Sequence, residues 1–147
     1  LPLASYQSSA YGFGAGGACD TGDFGKGTPG DPDARSHWPR HGAFGIPTTA
    51  AVEFPELAPP PLGYPISLHA GSPIAVTAHS LTESASAAPV PVIFVDEASD
   101  PHGHVTAYQV YLVPAAPLTP GTSYDVSITG MQNSALFIET WSFSTAP

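Results

Sequence analysis

The sequence predicts an all-β sandwich, and three observations carry that prediction. Turn signals recur about every ten residues from Gly63 to the C-terminus. Between them, apolar and polar residues alternate with the two-residue period of a strand. The C-terminal stretch then reads as two closing strands: Leu118-Thr-Pro-Gly-Thr-Ser-Tyr124-Asp-Val126-Ser-Ile128, a turn, and Trp141-Ser-Phe143-Ser-Thr145. No segment reads as a helix. The nearest candidate, Ala98 to Val113, contains Pro101 and Gly103 and is β-branched beyond them.

The elements follow in three zones. Residues 1–36 are rich in Gly, Ser and Asp and have no period, so they read as an extended Gly/Pro-rich tail or the remnant of a preceding domain. Tyr6, Tyr11, Phe13 and Phe24 are aromatic knobs on that backbone. The sandwich is expected over 37–147. Its first part, to residue 64, is punctuated by proline, with Pro59 to Pro61 favouring polyproline II. Val52 and Phe54 there alternate as a short edge strand would. From residue 65, Ile66 and Leu68 start a strand and Gly71-Ser-Pro73 turns the chain. Ile74, Val76 and Ala78 should point one way, with Thr77 and His79 pointing the other. Val90 to Val95 is nearly all apolar, as in a buried central strand. After a polar loop from Asp96 to Gly103, Val105, Tyr108, Val110 and Leu112 form a strand with a bulge at the slip between Val105 and Tyr108.

The closing strands define a core. Leu118 fills the bottom where the chain crosses between sheets, and Pro120-Gly121 makes the corner. Tyr124 buries its ring and turns its hydroxyl back to a backbone carbonyl. Val126, Trp141 and Phe143 continue the inward face.

At these residues the chain resembles the bacterial Ig-like domains of secreted and surface-layer proteins. The shared pattern is Leu118, Pro120-Gly121-Thr122, Tyr124, and a final Trp141-Ser-Phe143-Ser-Thr145, opened by Pro39, Gly42 and Ile46-Pro47. Fibronectin type III domains share the Pro-Gly-Thr-x-Tyr corner. Over Trp38 to Thr145 the chain is also similar to the module that follows the CAP domain in some bacterial secreted proteins, with Gly63-Tyr64-Pro65-Ile66 as a further match. The resemblance implies an Ig-like or fibronectin-III-like β-sandwich, an extracellular or cell-surface setting, and residues 1–35 as the trailing end of a CAP domain. It carries over no activity, because the His and Glu of the CAP cleft have no counterpart here.

Charge narrows the partners. The 147 residues hold 3 Lys+Arg against 12 Asp+Glu, a formal net charge of -9. Such a chain is a poor binder of nucleic acid, which needs Lys and Arg on phosphates, and of anionic membrane surfaces. No apolar run approaches the roughly 18 residues of a membrane span. Leu1 to Ala18 lacks the basic start and unbroken apolar core of a secretory signal. Gly17-Ala18-Cys19 matches the end of a lipoprotein signal, but Gly16 stands where a Leu-like residue is wanted. Cys19 is the single cysteine, so it forms no internal disulfide. It is either an incidental thiol or the site of an intermolecular bridge.

Two constellations are candidate metal sites. Asp20, Asp23, Asp31 and Asp33 place carboxylates on Gly-rich backbone, as Ca²⁺ requires, without the EF-hand spacing or its closing Glu. Asp96, Asp100, His102 and His104 could hold a divalent metal. For each set the ordinary reading is a solvated polar loop. His37 and His41 share no helix face, because Pro39 stands between them. No Gly-x-Ser-x-Gly elbow occurs, and no paired carboxylates can be assigned to a cleft.

The reading that follows is a non-catalytic secreted or cell-surface module. It is structural or interactive, with tail or edge strands able to join copies into a filament or surface layer. The partner is then protein, either another copy or a preceding domain of the same parent, and no cofactor is needed. The alternative is a carbohydrate- or ligand-binding sandwich with an exposed row of Tyr64, Tyr108 and Tyr111. A metal-dependent hydrolase on the Asp96–His104 loop is the third.

Overall fold

The computed structural model describes residues 31–50 and 61–147. Within them lie eight strands and no helix: β1 (Arg35–Trp38), β2 (Ala43–Ile46), β3 (Ile66–Ala70), β4 (Ile74–Glu83), β5 (Val92–Val95), β6 (Gln109–Pro114), β7 (Ser123–Gln132) and β8 (Ala135–Thr145). They form two four-stranded sheets. Sheet I has the order β1-β3-β6-β5, and sheet II the order β2-β8-β7-β4. Every pairing is antiparallel except β2 with β8, which is parallel. The chain crosses from sheet I to sheet II between β1 and β2, over the cis Trp38–Pro39 bond. β1 takes in Arg35 and Ser36, two residues ahead of the boundary that composition suggests. The expected edge strand at Val52 and Phe54 lies outside the described residues, as does most of the tail.

Alternation builds the core. Ile66 and Leu68 of β3, with Val110 and Leu112 of β6, meet Leu81, Tyr124, Val126, Ile128, Phe137, Trp141 and Phe143 of sheet II. Burying one such side chain contributes roughly 1.5–3 kcal/mol. The five expected core residues, Leu118, Tyr124, Val126, Trp141 and Phe143, are all buried. At one end an ion pair joins the layers: Arg35 Nε donates to Glu139 Oε1 at 2.9 Å, and the guanidinium lies over the Phe137 ring.

Four local expectations change. Val92–Val95 is an edge strand, paired only with β6 in sheet I, rather than a central one. Its outward residues are apolar too, because Ile93 and Val95 lie beside the buried Val113 and Tyr111 of β6. The bulge sits in β4, between Val76 and Ala78, and not between Val105 and Tyr108; β6 begins at Gln109. That bulge resets the alternation. Ala78 turns outward opposite Thr129, and His79 turns to the side facing sheet I, where it stays exposed while its ring stacks on Phe94 at 4.8 Å. Finally, the Tyr124 hydroxyl accepts rather than donates: Thr119 N–H gives to it at 2.8 Å. That N–H belongs to the corner and not to a strand ladder, so the phenol oxygen supplies its acceptor. Gly121 turns the same corner at φ 61°, a conformation costly for other residues.

The two outer faces differ. Ile66, Leu68, Val110 and Leu112 point into the core, so Ser67, Gln109, Tyr111 and Val113 point out of sheet I. They are nevertheless buried, with Tyr111 and Val113 at 0% exposure. β6 is buried along its whole length. Sheet II leaves its outer face open.

Candidate functional site

The open face of sheet II is the candidate site, and strand register defines it. Residues directly opposite one another across β4, β7 and β8 form rows on that face. From one end they run Ala75–Met131–Leu136, Ala78–Thr129–Ile138, Ser80–Ser127–Thr140, and Thr82–Asp125–Ser142, with Ser123–Ser144 last on β7 and β8. Strands lie about 4.8 Å apart and successive same-face residues about 6.8 Å apart, so the rows make a regular array.

One end of the array is apolar. Leu136 is 66% exposed and Ile138 60%, with Met131 beside them. These residues flank the two-residue β7–β8 turn, where Asn133 and Ser134 take positive φ, as a tight hairpin demands. The N-terminal approach to β1 is tied to the same turn. Asn133 Nδ2 donates to Asp33 Oδ1 at 2.7 Å, and Gln132 Nε2 to Pro32 O at 2.8 Å.

The other end is hydroxylic. Ser80, Thr82, Ser127, Thr140 and Ser142 surround Asp125, and His41 stands at the rim of a shallow depression of about 310 Å³. His41 is held by its Nδ1, which accepts from Ser142 N–H at 3.2 Å. Small side chains make the depression, because nothing longer than Asp projects from these rows. Across on β2, Phe44 is the most exposed large apolar residue, at 86%. It lies within an irregularity of the β2–β8 pairing, between Ala43 opposite Phe143 and Ile46 opposite Thr145. Ala43 packs on the core, so Phe44 turns out beside the hydroxyl end.

The expected site residues fall elsewhere. Tyr64, Tyr108 and Tyr111 form no exposed row. Tyr111 is fully buried, Tyr64 is partly buried with its hydroxyl accepting from Trp38 Nε1, and only Tyr108 is exposed. The reason is that β6, on which such a row would stand, is buried along its whole length. Asp100 is buried and closes its own loop, its carboxylate accepting from the backbone N–H groups of His102, His104 and Val105. Asp96 Oδ1 accepts from Ser99. Asp31 Oδ1 accepts from Asp33 N–H at 2.8 Å. Among the described residues no three His, Cys, Asp or Glu side chains are grouped so as to hold a metal. Asp20, Asp23 and Cys19 lie outside the described residues.

Sheet I holds one strongly perturbed group. His69 lies on its outer side, with Ser67 Oγ 3.1 Å from Nε2 and the Tyr111 ring edge-on. Burial pushes its pKa down to about 4, against a weaker upward pull from Gln109. It is therefore neutral near pH 7.

Among the described residues no helix is long and apolar enough to cross a membrane. No protein-family model matches this sequence, and no curated protein is similar to it in sequence.

Proposed function

We propose that this chain is a non-catalytic, secreted or cell-surface interaction module whose contact surface is the outer face of sheet II. The observation that carries the reading is the apolar row at the β7–β8 end. Leu136 and Ile138 stand more than half exposed on a face where the neighbouring rows are polar, together with Met131. Exposed apolar clusters of this kind mark contact sites on soluble proteins. The order β1-β3-β6-β5 over β2-β8-β7-β4, with Tyr124 at the corner before β7, supports reading the sandwich as Ig-like, and the secreted or cell-surface setting is part of that proposal. Self-association through this face suits a structural role, because a flat sheet face packs on a second copy of itself at about 10 Å.

Light scattering coupled to size exclusion tests the reading. The wild-type chain should show concentration-dependent self-association, and Leu136→Glu with Ile138→Lys should abolish it without lowering stability. A wild-type chain that stays monomeric at high concentration overturns it.

A further inference from the structure

We propose that the hydroxyl end of sheet II is a binding site for neutral saccharides, with Phe44 as its stacking platform and Asp125 as its central acceptor. The site is distinct from the apolar row and does not depend on it.

The lining selects the ligand class by elimination. Ser80, Thr82, Ser127, Thr140 and Ser142 each offer one O–H donor and two acceptor lone pairs, Asp125 only acceptors, and His41 an imidazole. Among the described residues no Lys or Arg lines the depression, so an anion there meets Asp125 with no cation to balance it. One carboxylate and one imidazole are too few for a metal. An added β-strand finds no backbone groups there: β7 is paired on both sides, and the outer edge of β4 beside the depression is bonded to Ala88 and Val90. What complements a field of hydroxyls around one carboxylate is a neutral molecule that itself carries many hydroxyls. Vicinal hydroxyls can both donate to Asp125, while Ser and Thr give and take at the flanks.

Phe44 is not part of the lining itself; it stands on β2 next to β8 and offers an apolar platform to the side of the depression. A pyranose ring presents polar edges and an apolar C–H face, and an exposed aromatic ring is the usual partner for that face. A phenyl group 86% exposed, at the hydroxyl end of an otherwise polar surface, has no packing role. The volume, about 310 Å³, lies at the small end of small-molecule pockets, roughly 300–1,000 Å³. Its shallowness points to weak binding of one or two rings. The array continues to Ser123 and Ser144, whose hydroxyls meet at 2.7 Å. A longer neutral oligosaccharide should therefore bind more tightly than a monosaccharide.

The test is a titration of the ¹⁵N-labelled full chain, followed by NMR, with methyl β-glucopyranoside, the β-1,4-linked disaccharide and trisaccharide of glucose, and glucuronate as the anionic control. The expected result is saturable shifts at Ser80, Thr82, Asp125, Ser127, Thr140, Ser142 and Phe44, with affinity rising with chain length and none for glucuronate. Asp125→Asn and Phe44→Ala should each weaken binding about tenfold while the rest of the spectrum is kept, the loss expected for one charge-assisted hydrogen bond or one aromatic contact. Leu136→Glu should leave sugar binding intact, which separates this result from the self-association test. No saturable shift with any neutral sugar overturns the proposal. So do shifts that map elsewhere, or glucuronate binding as well as glucose.

Discussion

Sheets I and II are built from the same alternation, yet their outer faces have opposite fates. On sheet I the outward residues Tyr111, Val113 and Ser67 are as buried as the core itself. On sheet II the outward residues are Ser and Thr at one end and Met131, Leu136 and Ile138, exposed, at the other. The difference teaches that exposure on a sandwich belongs to the layer, not to the residue type. A tyrosine on sheet I is structure, and a leucine on sheet II is surface.

The comparison can be broken most directly by truncation. Tyr111→Ala should cost about 3–5 kcal/mol in urea unfolding, as a buried aromatic does, whereas Leu136→Ala should stay within about 0.5 kcal/mol. Equal losses would erase the distinction between the faces. Acid sharpens it next. His69 has a folded pKa of about 4 against an ordinary 6.5, so the unfolded chain binds a proton that the folded chain refuses. Stability should therefore be complete above about pH 6.5, fall as pH drops towards about 4, and lose about 3 kcal/mol in all. His69→Gln should flatten that part of the pH profile, and an unchanged slope would remove His69 as its cause. A smaller effect lies between the sheets. Glu139→Gln leaves the Arg35 guanidinium, only 17% exposed, without its carboxylate. It should cost about 2 kcal/mol, and the double variant Arg35→Met, Glu139→Leu should regain most of it.

The features legible in the sequence are those set by near neighbours. The Pro120-Gly121 corner, Tyr124 and the Trp141–Phe143 alternation each depend on a few consecutive residues, and the period of two shows them directly. The features that were not legible depend on what lies across a sheet. Val92–Val95 is apolar on both sides, which a central strand and a covered edge strand share, so its position could not be read. Nothing in Val76-Thr77-Ala78 announces a bulge. It becomes visible only against Gly130 and Thr129 on β7, and it alone decides that the exposed His79 ring lies against Phe94. The hydroxyl array likewise draws Ser80, Ser127 and Thr140 from three strands that register alone brings together. Phe44 was hidden in the same way. Ile46 stands two residues on and shares its face on a period of two, and only the irregular pairing of β2 with β8 buries Ile46 and leaves Phe44 exposed.

The parallel contact of β2 with β8 has a mechanical consequence. Because the two strands run the same way, the leading end of β2 and the trailing end of β8 lie at opposite ends of their contact. Tension applied through the chain ends slides one strand along the other. The bonds Gly42 N–H to Ser142 O, 2.8 Å, and Ala146 N–H to Ile46 O, 2.9 Å, then bear the load together instead of parting one at a time. Single-molecule pulling should show one high-force rupture, and Ile46→Gly, which weakens β2, should rupture at visibly lower force. Resistance to shear is then as much a property of this fold as its equilibrium stability.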